Sequence, residues 1–151
     1  MSVEVDDRAG CGVRAEAVAA VVAAVLAAEG TGECEVGVVL VGEHEMREIN
    51  RAHRARDEPT DVLSFPIDEE DDLAGVTRML GDVVVCIPVL ERQAAEHDVA
   101  LGAELVDLVV HGTLHLLGYD HEEPEEDAAM RAREEAYLGP AIHAAGVRHD
   151  D

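Results

Sequence analysis

The sequence predicts an α+β fold in which a small mixed β-sheet is covered by helices. Short apolar segments rich in β-branched residues are interspersed with longer segments whose apolar residues recur at helical spacing. Their order does not follow the strict strand–helix–strand alternation of a parallel α/β fold. The chain of 151 residues has the length of one domain, and we interpret residues 1–151 as a single domain.

The first half of the chain contains three predicted strands and two predicted helices. The strands are identified by β-branched or alternating apolar residues, and the helices by apolar residues three and four positions apart. In order, the elements are a strand around Val3 and Val5, a helix from Val13 to the glycines at positions 30 and 32, a strand at residues 35–41, a helix at residues 43–54 and a strand at residues 61–66.

The second half of the chain contains one predicted strand and three predicted helices. Pro88 suits the first turn of a helix, and Gly118 suits the end of one. In order, the segments are an acidic loop at residues 68–72, a strand at residues 81–87, a helix from Pro88 to about His97, a helix with Leu101, Leu105, Leu108, Val109 and Leu116 on its apolar face that ends near Gly118, an acidic helix at residues 122–138 and a tail at residues 139–151.

The charge of the chain is strongly negative. It has 34 acidic residues and 11 basic ones, all of them arginine, for a formal charge of −23. Such a charge repels polyanions at long range and disfavours nonspecific binding to nucleic acid. The N-terminal segment lacks the apolar stretch of a secretory signal, and no apolar run approaches the length of a membrane span. We therefore expect a cytoplasmic protein with no membrane partner.

Three histidines within residues 111–121, in the segment HGTLHLLGYDH, form the strongest chemical signal. His111 and His115 are four residues apart, so a helix places both imidazoles on one face. His121 reaches the same point only if the helix breaks, and Gly118 supplies the break. Three imidazoles with one open coordination position are typical of a catalytic zinc site. We therefore predict one zinc ion per chain.

The same histidine spacing occurs in metzincin proteases. Those enzymes carry glutamate directly after the first histidine as the general base. Here that position is Gly112, which has no side chain to accept a proton. A bound zinc ion lowers the pKa of its water to about 7 without such a glutamate, so a hydrolase of another class remains open.

Four of the eleven arginines lie within residues 47–56: Arg47, Arg51, Arg54 and Arg56. The first three are spaced by four and three residues, so a helix lines them along one face. The planar guanidinium suits phosphate, because it combines charge with paired hydrogen bonds. The pattern fits a phosphate-binding face and fits equally well a solvated face that balances nearby acids.

These segments together resemble the YbeY-type endoribonucleases. HGTLHLLGYDH matches the pattern H-G-x-L-H-L-x-G-Y-D-H of that family at every fixed position. NRAHRARDEPTDVLSFP at residues 50–66 and LGDVVV from Leu80 resemble two further blocks, and the similarity runs over roughly residues 35–140. His53 stands where the family often has tyrosine.

The resemblance implies a single-strand-specific, zinc-dependent endoribonuclease that acts near the 3′ end of small-subunit rRNA and in ribosome quality control. It implies His111, His115 and His121 as zinc ligands and Arg54 as the residue that contacts the scissile phosphate. It also implies ribosomal RNA, proteins of the small ribosomal subunit and a ribosome-associated GTPase as partners. Asp61, Ser64 and Asp82 match family blocks and could orient the site, but Asp61 fits a turn residue and Asp82 a strand-edge residue equally well.

Two other functions remain open. One is a metallopeptidase-like zinc hydrolase, which the glycine at position 112 disfavours. The other is a non-catalytic ribosome-assembly factor with structural zinc, in which Asp120 or a carboxylate from residues 122–127 closes the fourth coordination position. Asp107, one turn before His111, is expected to be exposed or to be a partner of a zinc ligand.

Overall fold

A four-stranded sheet and five helices make up the described part of the chain, in a computed structural model that describes residues 2–54, 60–67, 78–119 and 123–138. The strands are β1 (Ser2–Asp7), β2 (Cys34–Val41), β3 (Val62–Pro66) and β4 (Arg78–Cys86). The helices are α1 (Ala15–Ala28), α2 (Glu43–Arg54), α3 (Ile87–Glu96), α4 (Leu101–Leu116) and α5 (Pro124–Leu138).

The sheet is mixed, as the sequence predicts. Its strand order is β1-β2-β4-β3. Strands β1, β2 and β4 are parallel to their neighbours, and β3 runs antiparallel to β4 at one edge. The predicted α+β class is confirmed by this sheet and its covering helices.

The two faces of the sheet pack against different helices, because successive side chains of a strand point to opposite faces. Val36 and Val38 of β2 lie in the main core, which includes apolar residues of α1 and α4. Val41 of β2 and Val84 of β4 lie in a second cluster with Met46 of α2. Helices α1 and α4 therefore cover one face, and α2 covers the other.

Helix α4 is the most enclosed of the helices, and it contacts α1, α3, α5, β3 and β4. Its burial extends beyond its apolar stripe to polar residues. Asp107 is only 3% exposed, so the expectation that it is exposed is wrong. The cause is tertiary packing, because other helices pack around α4 on the sides that the sheet does not cover.

The end of α4 has the hydrogen bonds of a glycine-terminated helix. Gly118 adopts φ +100°, its N–H donates to the His115 carbonyl over 3.0 Å, and the Tyr119 N–H donates to the Leu114 carbonyl over 3.1 Å. These are the two bonds of the Schellman motif, in which glycine takes the left-handed position. The predicted end of the helix near Gly118 is confirmed.

The predicted start of the fourth strand at Gly81 is late by three residues. Strand β4 begins at Arg78, because Arg78 and Met79 pair with Cys34 and Glu35 before an irregularity in the register. Gly81 follows this irregularity with φ +140°, a conformation that other residues rarely adopt. The predicted acidic loop at residues 68–72 and the tail at residues 139–151 lie outside the described residues.

Within the described ranges, no single helix has the length and hydropathy of a membrane span. Helices α3 and α4 reach the length and apolar composition of a span only when they are counted together. The two helices are bent by 116° relative to each other.

Candidate metal centre

Two of the three predicted ligands converge on one face of α4. The Nε2 atoms of His111 and His115 lie 3.2 Å apart, and their rings are inclined at 81° with centroids 4.7 Å apart. His111 is buried, whereas His115 is partly exposed. The spacing of four residues thus brings two imidazole nitrogens together, and the His115 side of the pair is accessible to solvent.

This pair of nitrogens fits a zinc ion. Two nitrogen ligands at the usual Zn–N distance around a tetrahedral ion are about 3.3 Å apart, close to the observed 3.2 Å. His121 lies outside the described residues, as do Asp120 and Glu122. Accordingly, the described residues contain no group of three or more metal-ligating side chains. The three-histidine site stays a prediction, with two of its members in suitable positions.

A carboxylate that the sequence did not single out lies behind His111. Oε1 of Glu134, on α5, is 3.5 Å from the Nδ1 atom of His111, and the two side chains are 7% and 3% exposed. A carboxylate at Nδ1 favours the tautomer whose Nε2 lone pair faces a metal. The sequence contained one signal for Glu134, because it lies one turn after Met130, the other buried residue of α5.

Gly112 packs directly against the sheet. A Cβ atom there would lie 2.6 Å from Cγ1 of Val83 and 3.2 Å from Oγ of Ser64. The Ser64 hydroxyl donates a hydrogen bond to the Gly112 carbonyl over 3.0 Å. A side chain at position 112 would therefore point into the sheet, so this backbone has no room for the glutamate of a metzincin-type peptidase.

Helix α2, which carries Arg47 and Arg51 of the predicted basic face, lies on the other side of the sheet from α4. Arg47 and Arg51 are exposed on α2, and neither forms an ion pair within the part of the chain that the structure describes. By contrast, acidic residues pair with Arg8, Arg92 and Arg133. The side chain of Arg54 and the whole of Arg56 lie outside the described set.

Strand β3 lies between the end of α2 and helix α4, and it contacts both. On one side of the strand, the ring of His53 packs edge-on against Phe65 with centroids 4.9 Å apart. On the other side, Ser64 bonds to Gly112. The backbone at Arg54, the last residue of α2, therefore lies next to the same edge strand that α4 packs against.

The two aspartates that match family blocks have different surroundings. Asp61 is buried directly before β3, and its Oδ1 accepts a 2.8 Å hydrogen bond from the Val62 N–H. Asp82 pairs with Gly37 and Phe65 and is the fifth residue of β4, so it does not lie at an edge of its strand as expected. Alternation along β4 puts it on the face away from α4, where it cannot orient the histidines.

A second cluster of polar side chains surrounds Glu29, which follows the last residue of α1. Oε1 of Glu29 accepts a 2.7 Å hydrogen bond from the Tyr119 hydroxyl. Oε2 accepts a 2.5 Å bond from the Tyr137 hydroxyl and pairs with the Arg133 guanidinium. Burial opposes the ionisation of Glu29, but these hydrogen bonds and this ion pair outweigh it and hold its pKa below the ordinary value of 4.5.

The lowered pKa of Glu29 predicts an acid-sensitive contribution to stability. Because the pKa is lower in the folded chain, this contribution is complete above pH 4.5 and is lost as pH falls through the folded value. In the metal-free protein, Glu29→Gln should lower the free energy of unfolding at pH 7, and the deficit should shrink toward pH 3. Urea unfolding across this pH range tests the prediction.

Glu16→Gln is the matched control, because Glu16 is an exposed glutamate of α1, the helix that Glu29 follows. Its effect should be small at every pH. A deficit of Glu29→Gln that is as large at pH 3 as at pH 7 would contradict the assignment of this carboxylate.

Comparison with known proteins shows close relatives over most of the chain. The family model described as endoribonuclease YbeY matches residues 7–141. Curated proteins named endoribonuclease YbeY include one from Pseudomonas entomophila, 48% identical over 113 residues that cover 75% of this chain and 71% of that protein. Another, from Moorella thermoacetica, is 46% identical over 125 residues that cover 78% of this chain and 80% of that protein.

The fold also resembles a solved structure. The solution structure of TM1509 from Thermotoga maritima matches with a TM-score of 0.66 and 31% sequence identity, covering 94% of this chain and 90% of that one. The family match includes the three predicted histidines and the arginine-rich segment of residues 47–56.

Proposed function

The chain belongs to the endoribonuclease YbeY family, and from this premise we propose that it is a zinc-dependent hydrolase that cleaves single-stranded RNA. One observation carries the proposal most directly. The Nε2 atoms of His111 and His115 lie 3.2 Å apart on one face of α4, at the separation expected of two zinc ligands, and His115 is partly exposed. His121 is the proposed third ligand.

Each proposed residue has a separate task. His111, His115 and His121 bind one zinc ion, which would acidify a water molecule so that hydroxide is available near neutral pH. Glu134 keeps the His111 ring oriented by accepting from its Nδ1–H. Arg54 binds the scissile phosphate and stabilises the negative charge that develops as the phosphodiester is attacked.

The acidic chain also needs a local site for RNA, because its net charge of −23 repels the substrate. Arg47 and Arg51 are exposed, and they are proposed to bind phosphates away from the cleaved bond, together with Arg56. Salt screens the repulsion beyond about 10 Å, so these short-range contacts would dominate once RNA is bound.

The finer biological assignment is proposed from the family resemblance. We propose that the substrate is ribosomal RNA near the 3′ end of the small-subunit molecule, and that the protein acts in the cytoplasm in rRNA maturation and ribosome quality control. Proteins of the small subunit and a ribosome-associated GTPase are the proposed partners. Such partners would also supply the affinity for ribosomal RNA that an acidic enzyme lacks on its own.

Replacement of Arg54 by alanine separates metal binding from cleavage. The variant should keep its zinc content, because arginine is not a ligand, and should cleave a labelled unstructured RNA at least about a hundredfold more slowly. Gel analysis of the cleavage products in single-turnover reactions measures the rate. A duplex of the same sequence should resist cleavage by the wild-type protein.

Arg14→Ala is a control with the same change in charge, since Arg14 is exposed just before α1. It should cleave at nearly the wild-type rate. If Arg54→Ala cuts RNA as fast as this control, Arg54 has no part in the reaction. If the wild-type protein binds zinc and cuts no RNA, a non-catalytic assembly factor with structural zinc becomes the better description.

A further inference from the structure

We propose that the rings of His53 and Phe65 form a stacking site for an unpaired base of the RNA substrate. This inference rests on the proposed function, because it assumes that single-stranded RNA is the substrate. It adds a contact to the bases, whereas the residues assigned so far bind zinc or phosphate. The two rings come from different elements, since His53 lies in the last turn of α2 and Phe65 lies in β3.

His53 continues the face of α2 that packs on the sheet. Met46 and Ile49 of this face pack into the second apolar cluster, and His53 follows them by seven and four residues, which keeps it on the same side of the helix. Unlike those residues, His53 is exposed. Its ring contacts the ring of Phe65 with centroids 4.9 Å apart and an angle of 60° between the planes. An edge-to-face contact covers one face of one ring, so ring surface remains for a third aromatic group.

Phe65 is the single phenylalanine of a chain that has two tyrosines and no tryptophan. Both tyrosines pack in the cluster between α4 and α5. Phe65 packs instead against the second cluster, on the α2 side of the sheet, and it is only partly buried. The core is otherwise built from aliphatic side chains, and leucine would fill a partly buried position equally well. An aromatic pair at this position therefore indicates recognition of another flat ring.

The surroundings of the pair suit a single strand of RNA. Arg47 and Arg51 are exposed on the same helix, and Arg51 precedes His53 by only about 3 Å along the helix axis. A strand whose phosphates bind these arginines would bring its bases within reach of the rings. Ring faces stack on bases of any sequence, and an unpaired base is the one that is free to stack. The site would thus favour single-stranded RNA over a duplex.

The stacked base lies away from the bond that is cleaved. His53 and Phe65 are on the α2 side of the sheet, whereas the proposed zinc ligands belong to α4, which covers the other side. The RNA would therefore pass around β3, which is the last strand of the described sheet. Loss of the stacking site should accordingly raise KM and leave kcat nearly unchanged.

Two ligands of equal length separate contacts to bases from contacts to phosphates. One is a fluorescently labelled single-stranded RNA of about twelve nucleotides, and the other is the same sugar–phosphate chain without bases. Fluorescence anisotropy with the zinc-loaded protein at low temperature measures both dissociation constants, and a gel checks that the RNA stays intact. Steady-state cleavage of the same RNA gives KM and kcat.

His53→Ala should weaken binding of the RNA about tenfold and leave binding of the base-free chain within about twofold of the wild type. Its KM should rise by a similar factor at nearly constant kcat. Arg51→Ala should weaken the binding of both ligands equally, because it removes a contact to phosphate. His53→Tyr retains a flat ring, so it should bind the RNA at least as tightly as the wild type.

Urea unfolding checks that each variant is folded. The inference would be overturned by an unchanged RNA affinity in His53→Ala, or by an equal loss for the RNA and the base-free chain. It would also be overturned if His53→Tyr bound RNA as weakly as His53→Ala. These results would leave the proposed function intact in a wild-type protein that cleaves RNA. A wild-type protein that binds zinc and no single-stranded RNA would refute the proposed substrate and the stacking site together.

Discussion

Replacement of His115 by alanine is expected to weaken zinc binding at least about a hundredfold, because it removes one of three protein ligands whose combined binding is worth roughly ten kcal/mol or more. RNA cleavage should be lost with the metal. The fold should remain, since His115 is partly exposed at the end of α4. Chelator competition measures the affinity, and circular dichroism checks the helix content.

His44→Ala is the control for this substitution. His44 lies on α2 with a side chain that is 90% exposed, so its removal changes the number of histidines without affecting the site. It should bind zinc like the wild type. Loss of zinc in both variants would indicate nonspecific binding by surface histidines, and retention of tight binding in His115→Ala would remove that residue from the ligand set.

Replacement of Gly112 by alanine is expected to destabilise the protein by about 2 kcal/mol. The added methyl group would lie 2.6 Å from a methyl group of Val83, which is fully buried and has a stiff side chain. Helix α4 must therefore move away from the sheet. Urea unfolding measures the change, and zinc affinity should fall as well, because Gly112 adjoins His111.

Gly102→Ala in the same helix is the opposite case. A Cβ atom at Gly102 meets no other atom within 4 Å, so alanine should stabilise the helix by about 0.5 to 1 kcal/mol. A Gly112→Ala protein as stable as Gly102→Ala would show that α4 does not pack closely on β4. It would also reopen the metallopeptidase alternative, which the close packing at position 112 argues against.

Local patterns were sufficient to predict most elements of the fold. The end of α4 is a clear case, because Gly118 in a polar turn after an apolar helix predicts a left-handed helix end. The start of α3 is another, since Pro88 lies in its first turn as expected. The α+β class followed from the order of such segments, and the family resemblance is confirmed.

Features that depend on packing between distant segments could not be predicted in this way. Asp107 lies among apolar residues of α4, and nothing in its neighbourhood in the sequence indicates that helices enclose that side as well. The burial of Glu134 could not be predicted either, because its acidic neighbours in α5 suggest a solvated face. The link between Glu29 and Tyr119 joins residues 90 positions apart, beyond the reach of any periodicity.

The candidate site was predictable to the extent that it rests on helical spacing. His111 and His115 converge because residues four apart share a helix face. The contact between Glu134 and His111 depends on the packing of α4 against α5. The close approach at Gly112 depends on the packing of α4 against the sheet. His121 and Arg54 keep their proposed roles from the family resemblance and from the chemistry that the site needs.

The zinc content of the purified protein tests the central claim most directly. Inductively coupled plasma mass spectrometry should find about one zinc ion per chain in protein purified without chelator, and none in a folded variant with alanine at positions 111, 115 and 121. Absence of zinc from folded wild-type protein, or equal zinc in the triple variant, would contradict a metal site built from these histidines.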